Sequence, residues 1–180
     1  MKSLASMAAF AVMLGGAAAC ATTNDAEYAS PPPAQIVSTE LSGSDIVFLT
    51  GAAREAALLV RLSEMAKGRA VTPEVQALAA AVWKEQTDTV RRLKDLAGRK
   101  QVQLPEESDG QGKKLMEKLA KLKGQKFDKC CLDAMADAQD ILEAALVTGA
   151  GSADGDLKAF AQAGIGTLKA ERGRARKLGM

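Results

Sequence analysis

Glu55, Gln86, Gln139 and Glu171 each stand at the centre of an otherwise apolar stripe whose steps alternate between three and four residues. That spacing puts each of them on the inward face of an α-helix. A polar group there costs roughly 1–3 kcal/mol unless it finds a partner. Two amides can donate to two carboxylates, so the four side chains are able to satisfy one another as a buried polar layer with no ion. The same oxygen-rich set also suits a hard cation such as calcium, or a small polar ligand. The structural layer is the preferred reading and the ligand site the alternative.

Transition-metal chemistry fits poorly. A di-iron centre between helices takes inward carboxylates and a Glu-x-x-His pair from each of two helices. The chain has no histidine. The residues three before Gln86, Gln139 and Glu171 are Trp83, Ala136 and Leu168. No bound metal or cofactor is expected. The sequence shows no nucleophile–base pair, glycine-rich phosphate loop or four-cysteine spacing, so no catalytic residue is assigned and the protein is read as a non-enzyme. Cys130 and Cys131 are adjacent. On one helix they point about 100° apart and would not close a disulfide without distorting the backbone. Cys131 is read as a packing residue and Cys130 as a spare thiol.

The elements that must carry these residues can be read from the same stripes. A first helix starts near Ser44 or Asp45 and ends near Gly68, with Phe48, Ala52, Leu59, Leu62 and Ala66 around Glu55. A second opens at Thr72-Pro73-Glu74, an N-cap, a proline at the first helical position and an acid at the positive end of the dipole, and stops at Gly98. The polar stretch 102–112 follows, then a short amphipathic helix over 113–123 with Leu115, Leu119 and Leu122 on one side. The long helix from Phe127 to about Gly149 carries Asp128, Leu132, Met135, Gln139, Leu142 and Leu146 on its stripe. A last helix starts near Asp154 or Asp156, and its stripe runs Leu157, Ala161, Gly164, Leu168, Glu171, Ala175 and Leu178. The chain shows no useful strand alternation. The expected fold is therefore all-α: an antiparallel four-helix bundle with a short extra helix between the second and third long helices.

Composition bounds partners more than function. Aromatics are 3% of the chain, so Ala, Leu, Val and Met must fill the core, and the net charge of +2 singles out no partner. Seven lysines lie between Lys113 and Lys129. With no aromatic interleaved for base stacking, nucleic acid is not expected, and the run reads as a solvated helix face, with contact to anionic lipid or the cell wall as the alternative.

The N-terminus carries an address. Lys2, an apolar run from Leu4 to Leu14, then small residues up to Cys20, have the order of an export signal. The run is too short and too weakly apolar for a comfortable span. The small residues before Cys20 resemble the lipobox of bacterial lipoproteins, with Ala17 where Leu is commonest. The resemblance implies a signal peptide over 1–19, lipidation at Cys20 and stable membrane attachment through two or more acyl chains. Ala21 after the cysteine resembles the outer-membrane sorting pattern. Residues 20–43, with Pro31, Pro32 and Pro33, read as a polar spacer, leaving 44–180 as the helical domain.

From Asp45 onward the chain resembles a bacterial family of exported, ferritin-like helical proteins classed as a domain of unknown function. The residues that carry the likeness are the opening from Asp45 to Leu49, Glu55, the block from Leu78 to Thr87, Phe127-Asp128 followed by Leu132, and Phe160-Ala161-Gln162 with Leu168. The resemblance implies a ferritin-like bundle and export. It also implies inward histidines on the second, third and fourth helices, which by position fall on Gln86, Gln139 and Glu171. Gly166 stands where the family pattern has proline, and Cys131 where it has tyrosine. The expectation is an exported envelope lipoprotein on the periplasmic side of the cell envelope, with an interaction or structural role and an envelope-protein partner. Ion or small-ligand binding by the central layer is the alternative, and a ferritin-like metal oxidoreductase comes last.

Overall fold

The structure is a computed structural model and describes residues 41–105 and 110–176. The export signal, Cys20 and nearly all of the proline-containing spacer lie outside the described residues, as does Leu178. The described chain is all-helical: α1 Gly43–Arg69, α2 Pro73–Arg99, α3 Gly110–Ala120, α4 Gly124–Ala150 and α5 Gly155–Arg176. No strand occurs among the described residues.

Several boundaries move from their expected places, for local reasons. The spacer ends before residue 43, because Ser42 caps α1 rather than Ser44 or Asp45. Asp45 is the third helical residue and closes a capping box, accepting from the Ser42 amide at 2.8 Å while its own amide donates to the Ser42 hydroxyl at 3.2 Å. Thr72 does precede α2, but its side chain makes no capping bond. Asp128 on α4 instead holds the turn that leads into α2, accepting from the amides of Val71 at 3.1 and 3.2 Å and of Thr72 at 2.9 Å. The short helix is Gly110–Ala120, not 113–123. Its chain turns off at Lys121 and Leu122, whose neighbourhood is held by Arg69: one guanidinium nitrogen donates to the carbonyls of Ala120 and Leu122 at 3.0 and 2.8 Å. Gly98 does not stop α2, which runs on to Arg99 before Gln101 turns into the left-handed region at φ 56°.

Packing follows the stripes. Helix α1 lies between α2 and α4, α5 packs on α4, and α2 and α5 meet more sparingly. Antiparallel neighbours are fixed by contacts at matching heights. Phe48 near the start of α1 meets Gly149 at the end of α4, and Leu146 of α4 meets Gly164 of α5. Phe48, Leu59, Leu62, Leu93, Leu142, Leu146, Leu157 and Leu168 are almost wholly buried. Each contributes about 1.5–3 kcal/mol relative to exposure. One expected stripe position shifts: Leu132 is only half-buried and Cys131 takes the core place. The Cys131 thiol donates weakly to the Leu62 carbonyl at 3.6 Å, and burial pushes it up to about 11.

Candidate functional site: the Gln86–Gln139–Glu171 layer

Three of the expected polar residues meet. Glu171 on α5 is 0% exposed, Gln86 on α2 is 1% exposed and Gln139 on α4 is 6% exposed. The Gln86 side-chain amide donates to Oε1 and Oε2 of Glu171 at 3.0 and 3.2 Å. The Gln139 amide donates to Oε2 at 2.8 Å. Gln86 and Gln139 sit near the middle of α2 and α4, whereas Glu171 lies toward the C-terminal end of α5, and all three are buried.

Glu55 is buried too, at 6% exposure, but it does not join them. Every hydrogen bond of the other three is accounted for, and none goes to Glu55. Its carboxylate faces the Arg54 guanidinium at 3.3 Å and lines a cavity of about 290 Å³ with Leu58, Gln111, Leu115, Ala138 and Ile141. The reason is rotational. Helix α1 turns one side to α2 and one to α4, and α5 stands across from it. The Glu55 position points toward α3 and α4, away from α5. The expected four-membered layer is thus corrected to three members, with Glu55 in a separate cavity.

A fourth member was missed in the sequence. Glu85, next to Gln86 and half-buried, stands within hydrogen-bonding reach of Glu171. Its Oε1 accepts from Arg174 at 2.7 Å, while its Oε2 is buried and lacks a donor. The Glu171 carboxyl is pushed up to about 8. Burial is the largest cause, the neighbouring Glu85 carboxylate adds to it, and the two amide donors oppose it. At neutral pH, then, Glu171 holds a proton, with the Glu85 carboxylate beside it. The arrangement is a chain from surface to core: Arg174, Glu85, Glu171, then the two glutamine amides. Glu85 also lines an open groove of about 670 Å³ with Trp83, Asp88, Arg91, Arg92 and Thr167, so the outer end of the chain meets solvent.

The donor set does not fit a ferritin-like di-iron centre. Amide nitrogens, which are not metal ligands, occupy both oxygens of the one fully buried carboxylate. No group of three His, Cys, Asp or Glu with metal-holding geometry is found among the described residues.

Helices of this length around a buried polar layer define an all-helical bundle protein. The chain belongs to the family described as a domain of unknown function, DUF4142, whose model matches residues 30–178. A crystal structure of a DUF305 fragment from Deinococcus radiodurans is similar, with a TM-score of 0.67 and 16% sequence identity over 77% of this chain and 97% of that one. At that identity the likeness carries the fold alone. No curated protein matches the sequence.

Proposed function

We propose that the protein is an exported envelope lipoprotein whose four long helices form an antiparallel, ferritin-like bundle with an interaction or structural role rather than a catalytic one. The observation that carries the non-catalytic reading is the closure of the polar layer. Gln86 and Gln139 occupy the Glu171 oxygens with amide donors, and the Glu85 carboxylate beside Glu171 helps to keep it protonated. A layer closed in this way stabilises the core and specifies which helix faces meet, with no coordination position turned to a substrate. Export rests on the order of charge, apolar run and small residues that ends at Cys20, and the periplasmic side of the outer membrane as destination rests on Ala21 after that cysteine. Attachment rests on acylation of that cysteine, and the partner is another envelope protein. Mass spectrometry of the mature N-terminus tests the anchor. A diacylated or triacylated Cys20 is expected, and an unmodified chain beginning at Ala21 or Thr22 would contradict it.

One observation favours a second reading, in which the layer takes up a hard cation or a small polar ligand. Gln86 Oε1 is buried and has no donor, as is Glu85 Oε2 beside it. Isothermal titration of the purified protein with calcium and magnesium separates the two readings, because the closed layer gives no saturable heat.

A further inference from the structure

Charge is segregated in this molecule. The whole chain carries 24 basic and 22 acidic side chains. Between Gly110 and Lys129, however, the sequence holds seven lysines and two acids, Glu117 and Asp128, and Lys129 pairs with Asp133 at 3.3 Å. Asp128 is buried and committed to the Val71 and Thr72 amides. Lys113, Lys114, Lys118 and Lys121 on and just after α3, with Lys123 and Lys126 at the start of α4, are all exposed.

The lysines are ordered rather than scattered. On α3, Lys113, Lys114 and Lys118 fall within about 140° of arc at 100° per residue, and Leu115 and Leu119 fall on the opposite side, with Lys121 exposed just past the helix end. Leu119 is buried, and Leu115, Met116 and Leu122 pack against the core. Arg69 holds the carbonyls at the C-terminal end of α3 against the end of α1. The inner side of α3 is thereby fastened to the domain, and its basic side is presented outward as a convex strip roughly 16 Å long.

Helix stability accounts for only part of this charge: Lys118 in the last turn of α3 and Lys121 just past it complement the dipole, whereas Lys113 and Lys126 stand in first turns. The first turns of α1, α2 and α5 contain Asp45, Glu74 and Asp156, as the dipole favours. The first turns of α3 and α4 contain no acid, and α4 opens from Lys123 with no side-chain cap. Cations at the positive ends of two successive helices oppose the local preference, the kind of conflict retained where a surface has another use.

We propose that this basic strip, formed by the outer side of α3 and the start of α4, is a docking surface for an anionic phospholipid bilayer. The occupant follows from charge and shape. A convex row of flexible cations meets a plane of anionic headgroups along its length, each lysine gaining from the negative surface potential. It lacks the interleaved aromatics that would stack bases. The inference adds a surface to the envelope reading above and does not depend on the acyl anchor.

The experiment uses the full chain carrying Cys20→Ser, so that no acyl chain contributes, in cosedimentation with vesicles. Binding is expected to phosphatidylcholine–phosphatidylglycerol vesicles and not to phosphatidylcholine alone, and to weaken steeply with added salt. The K114E/K118E/K121E variant is expected to bind at least about tenfold more weakly, with its helical circular dichroism at the assay temperature retained. A K84E/K94E/K158E variant, altered away from the strip, is expected to retain at least half the wild-type affinity. Equal binding to both vesicle types, no binding to the anionic vesicles, or equal loss in the two triple variants would overturn the proposal. So would capture by soluble polyphosphate without binding to anionic vesicles, which would assign the strip to a polymer. Failure of Cys20 acylation would end the anchored reading and leave this one standing.

Discussion

Gln86 on α2 reaches both carboxylate oxygens of Glu171 on α5, at 3.0 and 3.2 Å, across the side of the domain where these two helices otherwise meet sparingly. Arg174 and Glu85 bridge the same two helices one turn further out, at 2.7 Å. Polar contacts therefore do on this side what leucines and alanines do between α1 and its neighbours. The consequences are testable through pH, substitution and solvent exposure.

The stability of the domain should fall as pH rises from about 4.5 to about 8. Glu171 moves from an ordinary value of 4.5 in the unfolded chain to about 8 in the fold, with burial as the main cause. Over that interval the native state binds the extra proton, so raising pH favours unfolding. Asp45 and Asp154 work the other way at the acid end. Burial pushes both up, but the hydrogen bonds from Ser152 and Ser42 to Asp45, and from Lys100 to Asp154, outweigh it and hold both below 3.8. Their contribution is present above that value and lost as pH falls through the lower folded values. Thermal melts across this range should give a maximum near pH 4–5 and a decline toward pH 8. Glu171→Gln should remove the decline, and a decline of the same size in that variant would exclude Glu171 as its source.

Replacing Gln139 by Leu should destabilise the domain by roughly 1–3 kcal/mol, because Glu171 Oε2 loses its shortest donor in a dry setting. The decline above pH 4.5 should also extend to higher pH, since the lost amide had opposed the upward shift. Urea unfolding at pH 5 and pH 8 reads both effects.

Two glycines should respond to alanine with opposite signs. A Cβ on Gly149 would lie 2.7 Å from the ring of Phe48, which is fully buried and has no room to retreat. Gly149→Ala should cost about 1–3 kcal/mol through overpacking. A Cβ on Gly166 meets nothing within 4 Å on an exposed helical position, so Gly166→Ala should stabilise by about 0.5–1 kcal/mol. Denaturant midpoints at a common slope decide both.

Asp128→Ala should free the Val71 and Thr72 amides and cost about 1–3 kcal/mol, the range for hydrogen-bonding groups left without a partner. Hydrogen exchange should quicken first at Val71 and Thr72. Unchanged protection there would show that Asp128 does not hold the turn before α2.

The legible part of this structure was whatever repeats along a helix. The stripes around Gln86, Gln139 and Glu171 indicated both burial and height, because a three-four spacing fixes the side of a helix and mid-helix positions of antiparallel neighbours coincide. They did not indicate which way α1 is turned, and Glu55 was misplaced for that reason. Asp128 was read as one more stripe residue, since its amide partners lie 56 and 57 positions away. Glu85 fell off the stripe altogether. Only its adjacency to Gln86 hinted at a role, and the raised Glu171 carboxyl is what made that role visible. The basic run from Lys113 was legible as charge, but its conflict with the helix dipoles needed the helix starts at Gly110 and Gly124.

The closed polar layer is tested most directly by metal analysis of protein purified without chelators, beside thermal melts with added iron, zinc, manganese and calcium. Both oxygens of Glu171 already accept amide donors, so less than a tenth of an equivalent of any metal and no change in melting temperature are expected. The Gln86→His/Gln139→His variant, which sets two imidazoles beside Glu171, should gain measurable zinc or manganese affinity and shows that the assay can detect a site there. Stoichiometric metal in the wild-type protein, lost in Glu171→Gln, would contradict the account.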